Sequence, residues 1–166
     1  MRAYISGFAF LGLTLFAIAA RADESKVELG DVPKAGVEAV KAMFPGATIA
    51  GAAKETDEGK TVFEVTLKQN GRNIDVTVGT DGKIQLVERE IAQKELPAAV
   101  KQTLEAKYPK ATYKIVEQVD AMKNGRPTLD FYEAQLVTSD KQTIEVQITA
   151  DGKIKAEEKK KVGDKD

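Results

Sequence analysis

The spacing of apolar positions changes three times along this chain, and each change predicts a different element. An unbroken apolar run from Ala3 to Ala20 comes first. Val37, Val40 and Phe44 then fall three and four apart, the spacing that lines one side of a helix. Past Pro45 the period drops to two: Phe63, Val65 and Leu67 alternate with Glu64, Thr66 and Lys68, and Ile74, Val76 and Val78 alternate with Asp75 and Thr77. That is the pattern of strands with one buried face. Asn70-Gly71 between the two runs predicts a tight hairpin, and Asp81-Gly82 leads into a further strand from Ile84. A less regular strand is expected ahead of the hairpin, around 48–55.

The same order then recurs. Val100, Leu104 and Tyr108 make a second helical stripe closed by Pro109; Tyr132, Ala134 and Leu136, then Ile144, Val146 and Ile148, make a second alternating pair. A strand around 112–119 precedes that pair, and Ile154 follows Asp151-Gly152. Pro97 follows Pro33 by 64 positions and Ile144 follows Ile74 by 70, so the second copy carries about six extra residues in its loops. Asp31 and Glu95 stand just before Pro33 and Pro97, where proline has no N–H to leave unpaired and negative charge suits a helix start. The fold class expected is therefore α+β: a tandem repeat of a helix packed on a roughly four-stranded antiparallel sheet. The expected boundaries are a signal peptide at 1–22, a first repeat at 23–92 and a second repeat with a charged tail at 93–166. Units of this size bury too little to be stable alone, so they should pack together or share a sheet. The sheet face away from the helices should be polar and open.

Arg2 ahead of the apolar run, and the small residues of Ala20-Arg21-Ala22, predict an exported chain cleaved after Ala22. Without Arg2 and Arg21, 23 basic residues stand against the 26 acidic ones, a net charge of −3. That balance is not a nucleic-acid footprint. Cysteine is absent, which excludes disulfides and a lipid-modified leader cysteine. The expected location is the periplasm or the exterior, with no membrane association after cleavage.

Taken together, the Val-Pro or Leu-Pro helix start, the aromatic-Pro helix end followed by Ala-Thr, the aromatic-Glu hairpin strand and the closing Asp-Gly-Lys-Ile resemble the PepSY-like domains grouped with β-lactamase-inhibitor-like proteins. The resemblance runs from about Gly30 to Lys160. It implies secreted or periplasmic modules, often in tandem, that bind or inhibit other proteins such as peptidases. It carries over no catalytic residue. The second copy departs from the first at Ala134, where the first has Val65, and at Lys107, where the first has Met43.

The absence of both histidine and cysteine removes the usual zinc, copper and haem ligands and the Cys-His and Ser-His catalytic sets. Asp81-Gly82-Lys83 and Asp151-Gly152-Lys153 lack the alternating ligands and closing glutamate of a calcium loop and read as turns. Nothing predicted around Glu64 and Asp75, or around Glu133 and Glu145, would desolvate a carboxyl for acid catalysis. The expectation is a non-enzyme without cofactor, metal or catalytic residues. Glu64, Asp75, Glu133 and Glu145, matched between the copies and facing outward, are the candidate binding residues for a protein or peptide partner in the cell envelope. The alternative is a periplasmic sensor or carrier of a cation or small ligand that uses these surface carboxylates.

Overall fold

Pro33 and Pro97 stand at the N-caps of the two helices, α1 (Lys34–Met43) and α2 (Ala98–Lys107), each entered from a short 3₁₀ turn. Both helices stop at an aromatic residue, Phe44 or Tyr108, whose N–H still closes a helical bond to Val40 or Leu104. The following prolines, Pro45 and Pro109, make that residue unfavourable for further helix. The computed structural model describes residues 25–57 and 59–160. The expected signal peptide and its cleavage point after Ala22 lie outside the described residues, as does the end of the charged tail.

Nine strands complete the fold: β1 (Ser25–Lys26), β2 (Thr48–Asp57), β3 (Lys60–Gln69), β4 (Arg72–Gly79), β5 (Ile84–Glu90), β6 (Thr112–Lys123), β7 (Arg126–Val137), β8 (Thr143–Ile148) and β9 (Ile154–Lys160). They form a single antiparallel sheet in chain order, β1 to β9. The expected tandem of helix-plus-four-strand sheets is thereby overturned. The cause lies at the junction, where Leu86–Glu90 of β5 pairs in register with Glu117–Ala121 of β6. Two separate sheets would leave the backbone N–H and C=O groups of both these strands on free edges, and pairing them satisfies both rows at once.

Asn70 (φ 54°) and Gly71 (φ 78°) close the β3–β4 hairpin, and Asn124 (φ 53°) and Gly125 (φ 74°) close β6–β7. Two consecutive left-handed residues make the turn whose twist matches the strands on either side.

Both helices lie on one face of the sheet, over two apolar clusters. The first gathers Val40, Phe44, Val65, Leu67, Ile74, Val76, Val78 and Val87, and the second Val100, Leu104, Tyr108, Val116, Ala134, Leu136, Ile144, Val146 and Ile148. Each aliphatic side chain taken fully out of water contributes about 1.5–3 kcal/mol, so these clusters hold the helices down. At the seam between them the Arg89 guanidinium donates to Asp120, whose side chain is 6% exposed, and lies 5.4 Å from the centre of the Phe44 ring. Gln118 donates to the other Asp120 oxygen at 2.9 Å. A buried carboxylate that needs both donors fixes how β5 and β6 align. Among the described residues no helix is long and apolar enough to cross a membrane.

Candidate functional site

Alternation along the strands assigns every side chain to one of two faces. Val65, Val76, Ala134 and Val146 sit in the helix-side clusters, so their neighbours Glu64, Asp75, Glu133 and Glu145 belong to the helix-free face. All four are partly buried rather than exposed. Their spacing is diagonal: Glu64 is paired with Thr77 and Asp75 with Thr66, while Glu133 is paired with Gln147 and Glu145 with Gln135.

The direct neighbours of these carboxylates are other acids. Asp75 has Glu88 opposite it, Glu133 has Glu117, Glu117 has Glu90 in turn, and Glu145 has Glu158. Glu90, Glu117 and Glu133 therefore form one row across β5, β6 and β7, at about 4.8 Å per strand. Sequence reasoning missed this row because it crosses the junction between β5 and β6. The alternation of Glu88 and Glu90 around Arg89 was a usable signal for the β5 acids. No such signal exists on β6, where Val116 and Val119 point to opposite faces and blur the period.

The expectation of a polar, open face also needs correcting. Val119 is 0% and Phe131 4% exposed, and both lie on the helix-free side, paired with each other. Among the described residues no element covers them, so neighbouring side chains of the same face must close over them. A twisted sheet that curls toward this side produces that burial. Lys155 lies 4.5 Å from the centre of the Phe131 ring and donates to Asp130 at 2.7 Å. The result is an apolar floor at Val119 and Phe131 beside rows of carboxylates.

Gln147 adds a polar peculiarity. It is 8% exposed, its amide nitrogen donates to Glu133 at 3.0 Å, and its carbonyl oxygen has no hydrogen-bond partner. Glu158, one strand away on the same face, likewise keeps one shielded oxygen without a donor.

The two Asp-Gly turns lie apart from this face and behave as turns. Asp81 accepts from the Lys83 N–H at 3.0 Å, and the Lys83 ammonium holds its carboxyl below the ordinary aspartate value. The Thr149 hydroxyl does the same for Asp151. Gly82 (φ 78°) and Gly152 (φ 85°) supply the left-handed residue that each turn requires. Among the described residues no group of three or more His, Cys, Asp or Glu is placed to hold a metal ion.

With this geometry in hand, similarity to other proteins can be placed on the chain. Residues 34–78, from α1 to β4, match the family described as peptidase propeptide and YPEB domain. No curated protein matches the chain. Among solved structures, a protein of Bacteroides eggerthii described as periplasmic has a TM-score of 0.62 at 20% identity, covering 77% of this chain and 88% of its own. A DUF2874 family protein of Bacteroides uniformis has a TM-score of 0.61 at 18% identity, with 76% and 88% covered. A BLIP-like protein of Bacteroides fragilis has a TM-score of 0.58 at 16% identity, with 80% and 89% covered. At these identities the likeness is one of fold.

Proposed function

We propose that this chain is an exported, non-enzymatic binding module that recognises or inhibits a protein or peptide of the cell envelope through the helix-free face of its sheet. The observation that carries this reading is the lining of that face, where Val119 and Phe131 are buried beside rows of partly buried carboxylates. A face that had only to remain in water would gain nothing from a large ring held in its floor. An apolar floor with a charged surround suits a recognition surface. The absence of histidine and cysteine leaves the face without the usual activated nucleophile or proton shuttle. The leader read from 1–22 and the fold shared with a protein described as periplasmic support the envelope as its location. The cation-carrier alternative would draw several carboxylates toward one point, whereas Glu64, Asp75, Glu133 and Glu145 are dispersed over four strands.

The test is capture from envelope extract by residues 23–166, beside two folded variants. One carries Glu64→Lys, Asp75→Lys, Glu133→Lys and Glu145→Lys; the other carries Glu38→Lys and Glu105→Lys on the helices. A partner held by the parent and the helix variant but lost by the sheet variant is the expected result. A partner held equally by all three would remove the helix-free face from the reading.

A further inference from the structure

The helix-free face carries its charge in an arrangement that its solubility does not require. The mature chain is close to neutral, at 23 basic against 26 acidic residues, yet the two signs are segregated. The helices present Lys34, Lys41, Lys101 and Lys107 against Glu38 and Glu105. The helix-free face instead holds the row Glu90, Glu117 and Glu133 and the pairs Asp75–Glu88 and Glu145–Glu158. Its basic groups lie away from these rows, Lys68 exposed on β3 and Lys155 paired with Asp130. Like charges in register on a sheet disfavour each other by roughly 0.2–1 kcal/mol per pair, and a cationic ligand relieves that cost.

A second observation points the same way. The carbonyl oxygen of Gln147, on a residue 8% exposed, and a shielded carboxylate oxygen of Glu158 both lack a hydrogen-bond donor. Both orphaned atoms are acceptors, and both belong to side chains set among the carboxylates. Buried acceptors left without a donor are costly, and what they lack is an N–H group.

The acids do not converge as a metal site would. They are spread across strands about 4.8 Å apart, so a point charge meets few of them at once. A polypeptide with several ammonium or guanidinium groups reaches many. We infer that the partner of this face is a lysine- or arginine-rich protein segment, laid across the strands with its cations over the Glu90–Glu117–Glu133 row and its apolar parts over Phe131. This inference rests on the reading of the helix-free face as the recognition surface and adds the chemistry of what it recognises.

The probes are three ten-residue peptides, alternating alanine with lysine, glutamine or glutamate, titrated into residues 23–166 by fluorescence anisotropy. The lysine peptide is expected to bind, weakening as salt rises from 50 to 300 mM, and the other two are not. Glu90→Gln, Glu117→Gln and Glu133→Gln together should weaken it about tenfold, from three partly exposed charge contacts of up to about 0.5 kcal/mol each. Glu38→Gln with Glu105→Gln should leave it unchanged, and Gln147→Met should weaken it while raising stability. Circular dichroism checks that each variant is folded.

Equal binding of the glutamine and lysine peptides, both lost in the triple variant, would overturn the basic partner and leave the recognition face standing. Lysine-peptide binding that ignores the triple variant would overturn both. No binding by any peptide overturns the basic partner, and the recognition face is then decided by the capture experiment. Displacement of the lysine peptide by magnesium alone, well beyond the effect of sodium at equal ionic strength, would assign the face to a metal ion and also overturn it.

Discussion

Val87 and Glu157 occupy the same place in the two halves of the molecule, and their difference shows what the neighbouring strand does. Val87 on β5 lies opposite Val76, and Glu157 on β9 lies opposite Val146. The last residue of the helix above is Met43 in the first half and Lys107 in the second. In the first half this place is apolar and Val87 is 0% exposed; in the second the Lys107 ammonium donates to Glu157. The reason lies beyond the half itself: β5 has β6 on its far side, whereas β9 has no further strand among the described residues. A charged pair on the last strand blunts an edge that would otherwise accept another strand. Burial here is set by the next strand in the sheet more than by position within a half.

Exchanging the two residues breaks this comparison most directly. Val87→Glu places a carboxylate in a fully buried site where Met43 offers no cation, and should cost about 4 kcal/mol or more. Glu157→Val leaves Lys107, whose side chain is 46% exposed, free in water and should change stability by less than about 1 kcal/mol. Urea unfolding of the two variants beside the parent measures the asymmetry. Equal losses would mean that the neighbouring strand does not decide burial at this place.

The helices supply a second, smaller contrast. Gly36 in α1 and Val100 in α2 hold the same position, and both are buried. A Cβ on Gly36 would lie 2.4 Å from the Val78 Cγ1 methyl, so α1 sits closer to its strands than a side chain allows. Gly36→Val should therefore destabilise by about 1–3 kcal/mol through overpacking. Adding Val78→Ala removes the obstructing methyl, and a coupling of about 1 kcal/mol between the two changes is expected from thermal unfolding. Strict additivity would show that α1 can lift off without resistance and that the close approach is incidental.

These contrasts also mark what could be read in advance. The two-residue period of Phe63, Val65 and Leu67 and of Ile74, Val76 and Val78 identifies β3 and β4, and Pro33 and the Phe44-Pro45 pair bracket α1, because local sterics and burial on one side write themselves directly into sequence. Gly36 could not be read as a core position, since its role comes from having no side chain at all. The continuity of the sheet was hidden for a related reason: pairing of Leu86–Glu90 with Glu117–Ala121 joins segments about 30 positions apart through backbone bonds. The candidate site shared that blind spot. Glu64, Asp75, Glu133 and Glu145 could be placed on one face by alternation, but the acids that adjoin them, Glu88 and Glu117, meet only once the halves share a sheet.

The weakest effect gives the finest test of the edge argument. The Lys107 ammonium, and after it the Tyr108 phenol, hold the Glu157 carboxyl below its ordinary value, while burial and then Glu157 push the Tyr108 phenol up. A carboxyl whose folded pKa is depressed stabilises the fold above its unfolded value, about 4.3. That contribution disappears as pH falls through the folded pKa. Lys107→Met, which gives α2 the residue that α1 has in Met43, removes the principal cause of the depression. The parent should therefore exceed the variant at pH 7, by under about 1 kcal/mol for so exposed a pair, and the gap should close as pH falls below about 4. Val87 has no proton to gain, so Met43→Lys in the first half should lower stability with no corresponding convergence at low pH. Urea midpoints at pH 7, 5 and 3.5 for the three proteins decide it: a gap between the parent and Lys107→Met that stays constant down to pH 3.5 would mean that Lys107 contributes through its packed methylenes, and the edge would then owe its character to packing instead of charge.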